Sequence, residues 1–294
     1  MSNEQALARF IVGLKAADAS LAAQRVARNL LLAVSGTAIA GAAEDGCQAL
    51  RQLLVNGGGP GQATVWSWGD RLPVAAAAYM NGVMCRALDY CDAMAPGLHI
   101  GSSLVPAAMA VAEQHRCNGD ELLAALCAGA EVTSRFNLTE SQYAGFDPTG
   151  VAGVFGATAA AARLMRLDES QTLHALALAF NRCGGSFQSN VDGSLAVRFI
   201  QGWVAQTGVH CAELAAAGIT GPVNFIGGVY GYCALYGRGA IEPGQLTQDL
   251  GQRWKMEGMM FKRYPSCGLT QGLTHLAVRA VREAGASAQT VESA

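Results

Sequence analysis

Residues 21–40, LAAQRVARNLLLAVSGTAIA, are the stretch that decides the fold class. Ser20, immediately before it, is a residue type that caps helix N-termini well. The second half of the stretch is almost purely apolar, and a helix that is apolar on all sides is expected to lie inside a bundle. The sequence therefore predicts a helical bundle in which this helix is buried.

Helical periodicity continues on both sides of this stretch. Further helices are predicted at residues 4–15, 44–56, 73–90, 104–115, 121–134, 151–165, 170–180, 197–217, 242–253 and 270–283. Strand-like residues are found at 64–68, 259–264 and 290–292, and residues 181–194 read as a long loop. These patterns predict a mainly α protein: a large all-helical bundle domain at residues 1–255, followed at residues 256–294 by the incomplete beginning of a small α+β domain.

The composition excludes several classes of protein. Of the 294 residues, 20 are Lys or Arg and 22 are Asp or Glu, and no basic cluster suggests nucleic acid. The uncharged stretch 214–237 is interrupted too often by glycine to span a membrane. Nine cysteines without a CxxC pair, and an N-terminus without a secretory apolar core, predict a cytoplasmic protein.

Apolar residues are unusually abundant for a chain of this size. They make up 51% of the sequence, and charged residues make up 14%, against about 25% in an average protein. This is more apolar surface than one subunit is expected to bury. We therefore expect an oligomer with a large apolar interface.

Ionisable residues are concentrated near the end of the helix predicted at 73–90. Asp89 and Asp92 are three positions apart, which on a helix places both carboxylates on one face. His99 lies in the following loop and can fold back on them. A carboxylate beside an imidazole orients a general base and tunes its pKa. The alternative is that Asp92 only caps the loop and Asp89 is solvated.

A second candidate group follows in the C-terminal part. The adjacent cations Lys262 and Arg263 suit a carboxylate clamp, although exposed charges on an edge strand would look the same. Arg198 begins an otherwise uncharged stretch, where it needs an acidic partner, an anionic ligand or solvent. Glu131, in an apolar helix, is expected to have a structural partner. Walker, Rossmann and G-x-S-x-G motifs do not occur in the settings that they require.

Several blocks in the same order resemble the MmgE/PrpD family, which includes 2-methylcitrate dehydratase, cis-aconitate decarboxylase and iminodisuccinate epimerase. The matching residues are Asn81-Gly82-Val83, Ala87-Leu88-Asp89, His99, the blocks at 119–123 and 147–156, Gly202-Trp203, and the block at 262–267. The resemblance implies a dimer of subunits with a large all-helical and a smaller α+β domain. It also implies that no metal or organic cofactor is needed, and that a proton is moved beside a carboxylate of a small di- or tricarboxylic acid.

The resemblance and the local patterns together assign a set of candidate site residues. Asp89, His99 and Lys262 are the predicted catalytic residues, and Arg198, Asp92, Asp147, Arg263 and Tyr264 are predicted to bind substrate.

Some family positions differ here. Asp147 and Ile200 stand where the family has histidines, Val197 where it has a lysine, and Gln271 where it often has a histidine. The family's chains also continue past residue 294, so this one is expected to be a fragment or a truncated relative.

Three functional interpretations follow. The first is a cofactor-independent lyase resembling 2-methylcitrate dehydratase, with decarboxylation or epimerisation as the family's other outcomes. The second is a family member with a decayed pocket that binds carboxylates or oligomerises without catalysis. The third is a metal-dependent helical enzyme in which Asp89, Asp92, Asp147 and His99 surround Mg²⁺.

Overall fold

Helices form most of the protein in the computed structural model, which describes residues 1–285, and the predicted mainly α class is confirmed. The α-helices are α1 (Asn3–Gly13), α2 (Leu21–Gly41), α3 (Cys47–Gly57), α4 (Val74–Arg86), α5 (Gly101–His115), α6 (Gly119–Arg135), α7 (Glu140–Tyr143), α8 (Val154–Leu164), α9 (Glu169–Phe180), α10 (Gln188–Val191), α11 (Ala196–Ala216), α12 (Tyr232–Leu235) and α13 (Gln271–Glu283). The strands are β1 (Ala63–Thr64), β2 (Arg71–Leu72), β3 (Asp92–Ala93) and β4 (Met260–Phe261). The strand predicted at 290–292 lies outside the described residues.

Side-chain caps begin several of the helices. The predicted cap on α2 is confirmed, because the Ser20 hydroxyl accepts a hydrogen bond from the backbone N–H of Ala23. Asn118 and Asp168 cap α6 and α9 in the same way. Each cap satisfies an N–H that has no partner inside its helix, so the sequence itself fixes where these helices begin.

Helix α2 is buried on one side only, so the prediction that it lies wholly inside the bundle is wrong. Its inner face, represented by Ala27, Leu30 and Val34, packs against α4, α5 and α6. On the outer face, Leu32 is 76% exposed and Ile39 is 64% exposed. The apolar composition of α2 does not show how many of its sides are covered by neighbouring helices. Within one subunit, those helices cover one side.

Two glycines set the distance between α4 and α11. A Cβ atom on Gly82 would lie 2.9 Å from Cα of Gly202, and one on Gly202 would lie 2.7 Å from the carbonyl oxygen of Tyr79. Both distances are shorter than real Cβ contacts allow. The absence of side chains at this crossing lets the two helices approach closely, which brings the beginning of α11 near the end of α4.

A buried ion pair fixes the segment that leads to β4. Nε of Arg135 donates to Glu131 at 2.6 Å, and both side chains are almost fully buried. The Arg135 guanidinium also donates to backbone carbonyls, including that of Arg253 at 2.9 Å, and Glu131 accepts the N–H of Met256 at 3.1 Å. The structural partner expected for Glu131 is therefore Arg135, and the pair ties residues 246–256 to α6.

The predicted strands and several helix ends are shorter than expected. The strand predicted at 64–68 is the two-residue β1, and that at 259–264 is the two-residue β4. A 3₁₀ turn at Pro243–Leu246 replaces the helix predicted at 242–253, and α4 ends at Arg86 instead of near residue 90. Strand β3, which the sequence did not indicate, pairs with β4 in antiparallel register, with Asp92 opposite Phe261.

Candidate active site

Asp89 lies at the centre of a cluster of charged side chains. Nη1 of Arg86 is hydrogen-bonded to its Oδ1, and Nζ of Lys262 donates to the same oxygen at 2.6 Å and to the backbone carbonyl of Asp89 at 2.8 Å. Pairing of β3 with β4 brings Lys262 to this position across more than 170 residues of sequence. The structure thus brings Asp89 and Lys262 into direct contact, and the third predicted catalytic residue, His99, is near enough for its charge to act on Asp89.

The backbone of Asp89 adopts the left-handed conformation, with φ of +49°. This region is uncommon for residues other than glycine, although Asp and Asn enter it more readily than most. Because of this conformation, Asp89 does not continue helix α4, which ends at Arg86. As a result, the carboxylate turns towards Lys262, while its side chain stays about one third exposed.

The charges around Asp89 decide its ionisation. Burial alone raises the pKa of Asp89, but the positive charges of Arg86 and Lys262 outweigh burial, and the net pKa lies below the ordinary value. Asp89 is therefore a stable carboxylate at neutral pH. A carboxylate in this state is a weak base but a good orienting group for cations and for a substrate proton.

His99 is held in one tautomer. Its Nδ1 lies 2.7 Å from the backbone carbonyl oxygen of Asp92, which can only accept a hydrogen bond, so Nδ1 carries the proton. Nε2 therefore has the free lone pair, and it has no hydrogen-bond partner among residues 1–285. Burial lowers the pKa of His99, and the nearby Arg86 charge lowers it further. A neutral imidazole with an unprotonated Nε2 has the properties of a general base.

Asp92 is predicted to bind substrate, but both of its carboxylate oxygens are engaged by backbone. Oδ2 accepts the N–H of Ile100 at 2.8 Å, and Oδ1 accepts the N–H of Gly101 at 2.9 Å. The side chain is fully buried, and burial raises its pKa. These contacts hold the first turn of α5 and, through the carbonyl of Asp92, the ring of His99. Asp92 and Asp89 do not share a helix face, since α4 ends at Arg86.

The carboxylate of Asp147, like that of Asp92, accepts a hydrogen bond from the backbone. Its Oδ1 accepts the N–H of Gly150 at 2.9 Å, at the beginning of a π-helical turn over Thr149–Gly153. Burial raises the pKa of Asp147. The Thr149 hydroxyl, in the same turn, donates to the carbonyl of His99 at 3.1 Å. This turn therefore supports the loop that carries His99.

A cavity of about 230 Å³ opens beside Asp89, between the end of α4 and the beginning of α11. Its lining includes Arg86, Asp89, Asn190, Ser194, Val197 and Arg198. Arg198 is thus near the cluster, although its Nη1 donates to the backbone carbonyl of Asp45 at 2.7 Å.

Sequence reasoning missed Arg86. The signal was present, because a cation ends an otherwise uncharged apolar helix, which is the same pattern that singled out Arg198.

Arg263 and Tyr264 lie apart from this cavity. They line a different one, of about 260 Å³, together with His275 and Arg282. The phenol of Tyr264 is 3.0 Å from Nδ1 of His275. Tyr90 contacts the same loop, since its hydroxyl donates to the carbonyl of Arg263 at 2.8 Å. These two predicted substrate-binding residues therefore line a different cavity from the one beside Asp89.

Two positions that differ from the family pattern line separate cavities. Val197 lines the cavity beside Asp89. Ile200, one turn further along α11, lines a larger cavity of about 580 Å³, together with Gly150, Cys183 and Trp203.

Neither a metal site nor a membrane span emerges from residues 1–285. Within this range, no three His, Cys, Asp or Glu side chains are placed so that they can share a metal ion. The magnesium interpretation therefore has no donor set there. Across the same residues, each helix is too short or too polar to cross a bilayer.

Comparison with known proteins finds one domain family and a group of related decarboxylases. A family model described as the MmgE/PrpD N-terminal domain matches residues 5–243. The human cis-aconitate decarboxylase is 28% identical over 236 residues, covering 76% of this chain and 47% of the relative, and the mouse enzyme is 27% identical over the same length. A cis-aconitate decarboxylase-like protein, oryM of Aspergillus oryzae, is 28% identical over 233 residues, covering 72% of this chain and 48% of the relative. The chain thus spans about half the length of the curated relatives that it matches.

Proposed function

Because the chain belongs to the MmgE/PrpD family, we propose that it is a lyase-type enzyme acting on a small di- or tricarboxylic acid. The observation that carries this proposal is a buried His99 with a free Nε2, which lies close enough to Asp89 and Lys262 for their charges to influence one another. A base and a fixed cation are the groups needed to remove a proton from a carbon next to a carboxylate.

The proposed chemistry uses only side chains of the protein. Nε2 of His99 takes the proton from the α-carbon, and the C–H electron pair moves into the adjacent carboxylate, whose developing charge Lys262 stabilises. Asp89 orients Lys262 through the 2.6 Å hydrogen bond. Expulsion of a β-hydroxyl group then gives dehydration, as in 2-methylcitrate dehydratase. Return of the proton to the opposite face gives epimerisation. Decarboxylation, the family's third outcome, instead requires that a proton is added to carbon while the C–C bond to the departing carboxylate breaks and carbon dioxide leaves.

The first test is a proton NMR time course in heavy water. Citrate, succinate and cis-aconitate are the acids to use, the last because the curated relatives are named for its decarboxylation. We expect exchange of α-protons or turnover with the wild-type protein, and a loss of about 10²- to 10⁴-fold in His99→Gln. His210→Gln is the matched control, because His210 is an exposed histidine on α11. Absence of exchange and of turnover with all three acids would contradict the proposal.

A non-catalytic role is the second candidate, and Val197 favours it. This valine lines the cavity beside Asp89 at the position where the family has a lysine. Removal of one charge-stabilising donor costs about 10²- to 10³-fold in rate in known enzymes. Binding of a carboxylate without exchange would support this carboxylate-binding alternative.

We further propose that the protein is a cytoplasmic homodimer. All nine cysteines are unpaired, which fits a reducing compartment. The outer face of α2 exposes Leu32 and Ile39, and this apolar stripe fits a contact with a second copy of the chain.

A further inference from the structure

The cavity beside Asp89 has more positive than negative charge in its walls. Two guanidinium groups, those of Arg86 and Arg198, line it, and Asp89 is the one carboxylate in its lining among the described residues. That carboxylate is also bound by Lys262. Arg86 and Lys262 thus both bind Asp89, and Arg198 adds a further positive charge to the lining. A partly buried site with such an imbalance attracts a further anion.

Arg86 has hydrogen-bonding capacity that the protein does not use. The residue is only 8% exposed, and its Nη1 is bound to Asp89. Its Nε and Nη2 have no hydrogen-bond partner among residues 1–285. The other acidic group near Arg86 is Asp147, whose Oδ1 already accepts the N–H of Gly150. Since a guanidinium is always charged and presents five donors, its free edge suits a carboxylate.

The beginning of α11 supports the same ligand from the opposite wall. This helix of 21 residues begins at Ala196, and Ser194, Leu195 and Val197 around its first turn line the cavity. The N-terminus of a helix carries partial positive charge and favours anions. The polar side chains of Asn190 and Ser194 add hydrogen-bonding groups to this wall.

We propose that this cavity is a carboxylate subsite in which Arg86 holds a carboxylate of the substrate remote from the reacting carbon. The inference rests on the proposed function, and it names Arg86 as the residue that selects acids with two or more carboxylates. The volume of about 230 Å³ is below the range of about 300–1,000 Å³ typical of sites for drug-sized ligands, so it suits one end of a small acid. Arg198 also lines the cavity and adds positive charge, although its Nη1 is engaged by the carbonyl of Asp45.

Calorimetric titration of the intact protein with citrate, succinate and acetate tests this subsite. We expect citrate and succinate to bind more tightly than acetate. Arg86→Gln should weaken citrate binding about 10- to 100-fold, which is the size of effect that a charged hydrogen bond has. Arg86→Lys should restore part of the affinity, because it returns the charge without the two-donor edge. Arg28→Gln, at an exposed arginine on α2, is the matched control and should bind as the wild type does.

A second variant keeps the test decisive if Arg86→Gln does not fold. Leu195 lines the cavity and is 45% exposed, so Leu195→Glu adds a negative charge to the wall without filling the core. It should abolish citrate binding while leaving the melting temperature close to that of the wild type. Unchanged citrate affinity in a folded Arg86→Gln or Leu195→Glu protein would overturn the subsite, as would a wild-type protein that binds none of the acids.

The outcomes separate this inference from the proposed function. Citrate binding that depends on Arg86, without α-proton exchange, would keep the subsite and refute the lyase activity. Exchange that proceeds with the same KM in Arg86→Gln would keep the activity and refute the subsite.

Discussion

The imidazole of His99 shows how one backbone contact prepares a side chain for chemistry. The carbonyl of Asp92 fixes the proton on Nδ1, and the carboxylate of the same residue holds the first turn of α5. One buried aspartate thus sets both the tautomer of His99 and the position of the loop that carries it. Sequence spacing offered two interpretations of Asp92, contact with substrate or capping of the following loop, and the observed backbone contacts match the second.

The first prediction concerns the ionisation of His99. Its pKa lies below the ordinary value of 6.5, because burial and Arg86 disfavour the imidazolium. In the unfolded chain the ordinary value returns, so as pH falls through 6.5 the unfolded state takes up this proton first and the folded state loses stability. We expect the Cε1 proton of His99 to titrate by NMR with a midpoint below 6.5, and the acidic limb of the pH–rate profile to follow it.

His99→Gln identifies the resonance by its disappearance and serves as the control for this titration. A midpoint above 6.5 would mean that the charges of Asp92 and Asp89 outweigh burial and Arg86. The base would then be largely protonated near neutral pH, and the role given to Nε2 would be wrong.

Among the secondary-structure elements, the long helices were predictable and their ends around the site were not. The α2, α6 and α11 patterns gave boundaries within about two residues of those observed. Residues 87–95 contain no proline or glycine that would mark the end of α4 at Arg86. Its true conformation depends on Lys262, which binds Asp89, and on Phe261, which lies opposite Asp92 in the β3–β4 pair. Contacts so distant in sequence leave no local signal. The predicted common helix face of Asp89 and Asp92 is therefore wrong, because the helix ends at Arg86.

The loop between β4 and α13 is held by one side chain at the beginning of that helix. Oε1 of Gln271 accepts the backbone N–H of Arg263 at 2.9 Å and of Tyr264 at 3.0 Å. Its Nε2 donates to the carbonyl of Tyr264 at 2.9 Å and to the hydroxyl of Ser266 at 2.9 Å. An amide can do both, because it carries a donor and an acceptor at one end. Gln271 thus fixes the loop that directly follows Lys262.

We therefore predict that Gln271→Ala misplaces Lys262. A displacement of about 1 Å at a reacting group can cost about 10²-fold in rate, so proton exchange should fall about 10- to 100-fold. The melting temperature should change little, because α13 buries none of its residues. Thr274→Ala, one turn along the same helix, is the control and should keep the wild-type rate. Equal exchange rates in Gln271→Ala and the wild type would show that the loop does not position Lys262.

At the scale of the whole molecule, the chain leaves a contiguous apolar stripe exposed. Leu32, Gly36, Ile39 and Ala40 lie on the outer face of α2 at helical spacing. The abundance of apolar residues was visible in the composition, which led to the expectation of an oligomer. The location of the exposed apolar surface could not be predicted from the composition, because it depends on which side of α2 is covered by α4, α5 and α6.

The last prediction is that this stripe is the contact between two copies. A stable dimer buries about 800 Å² on each partner, and a charge placed in an apolar contact without a partner is strongly unfavourable. Light scattering after size-exclusion chromatography should give twice the chain mass of 30.4 kDa for the wild type and 30.4 kDa for Leu32→Glu and Ile39→Glu. Val229→Glu changes an apolar residue that is 84% exposed outside α2, and it should remain a dimer. A wild-type protein that stays monomeric at micromolar concentration would refute the dimer, whereas a dimer that survives both α2 substitutions would place its interface on another surface.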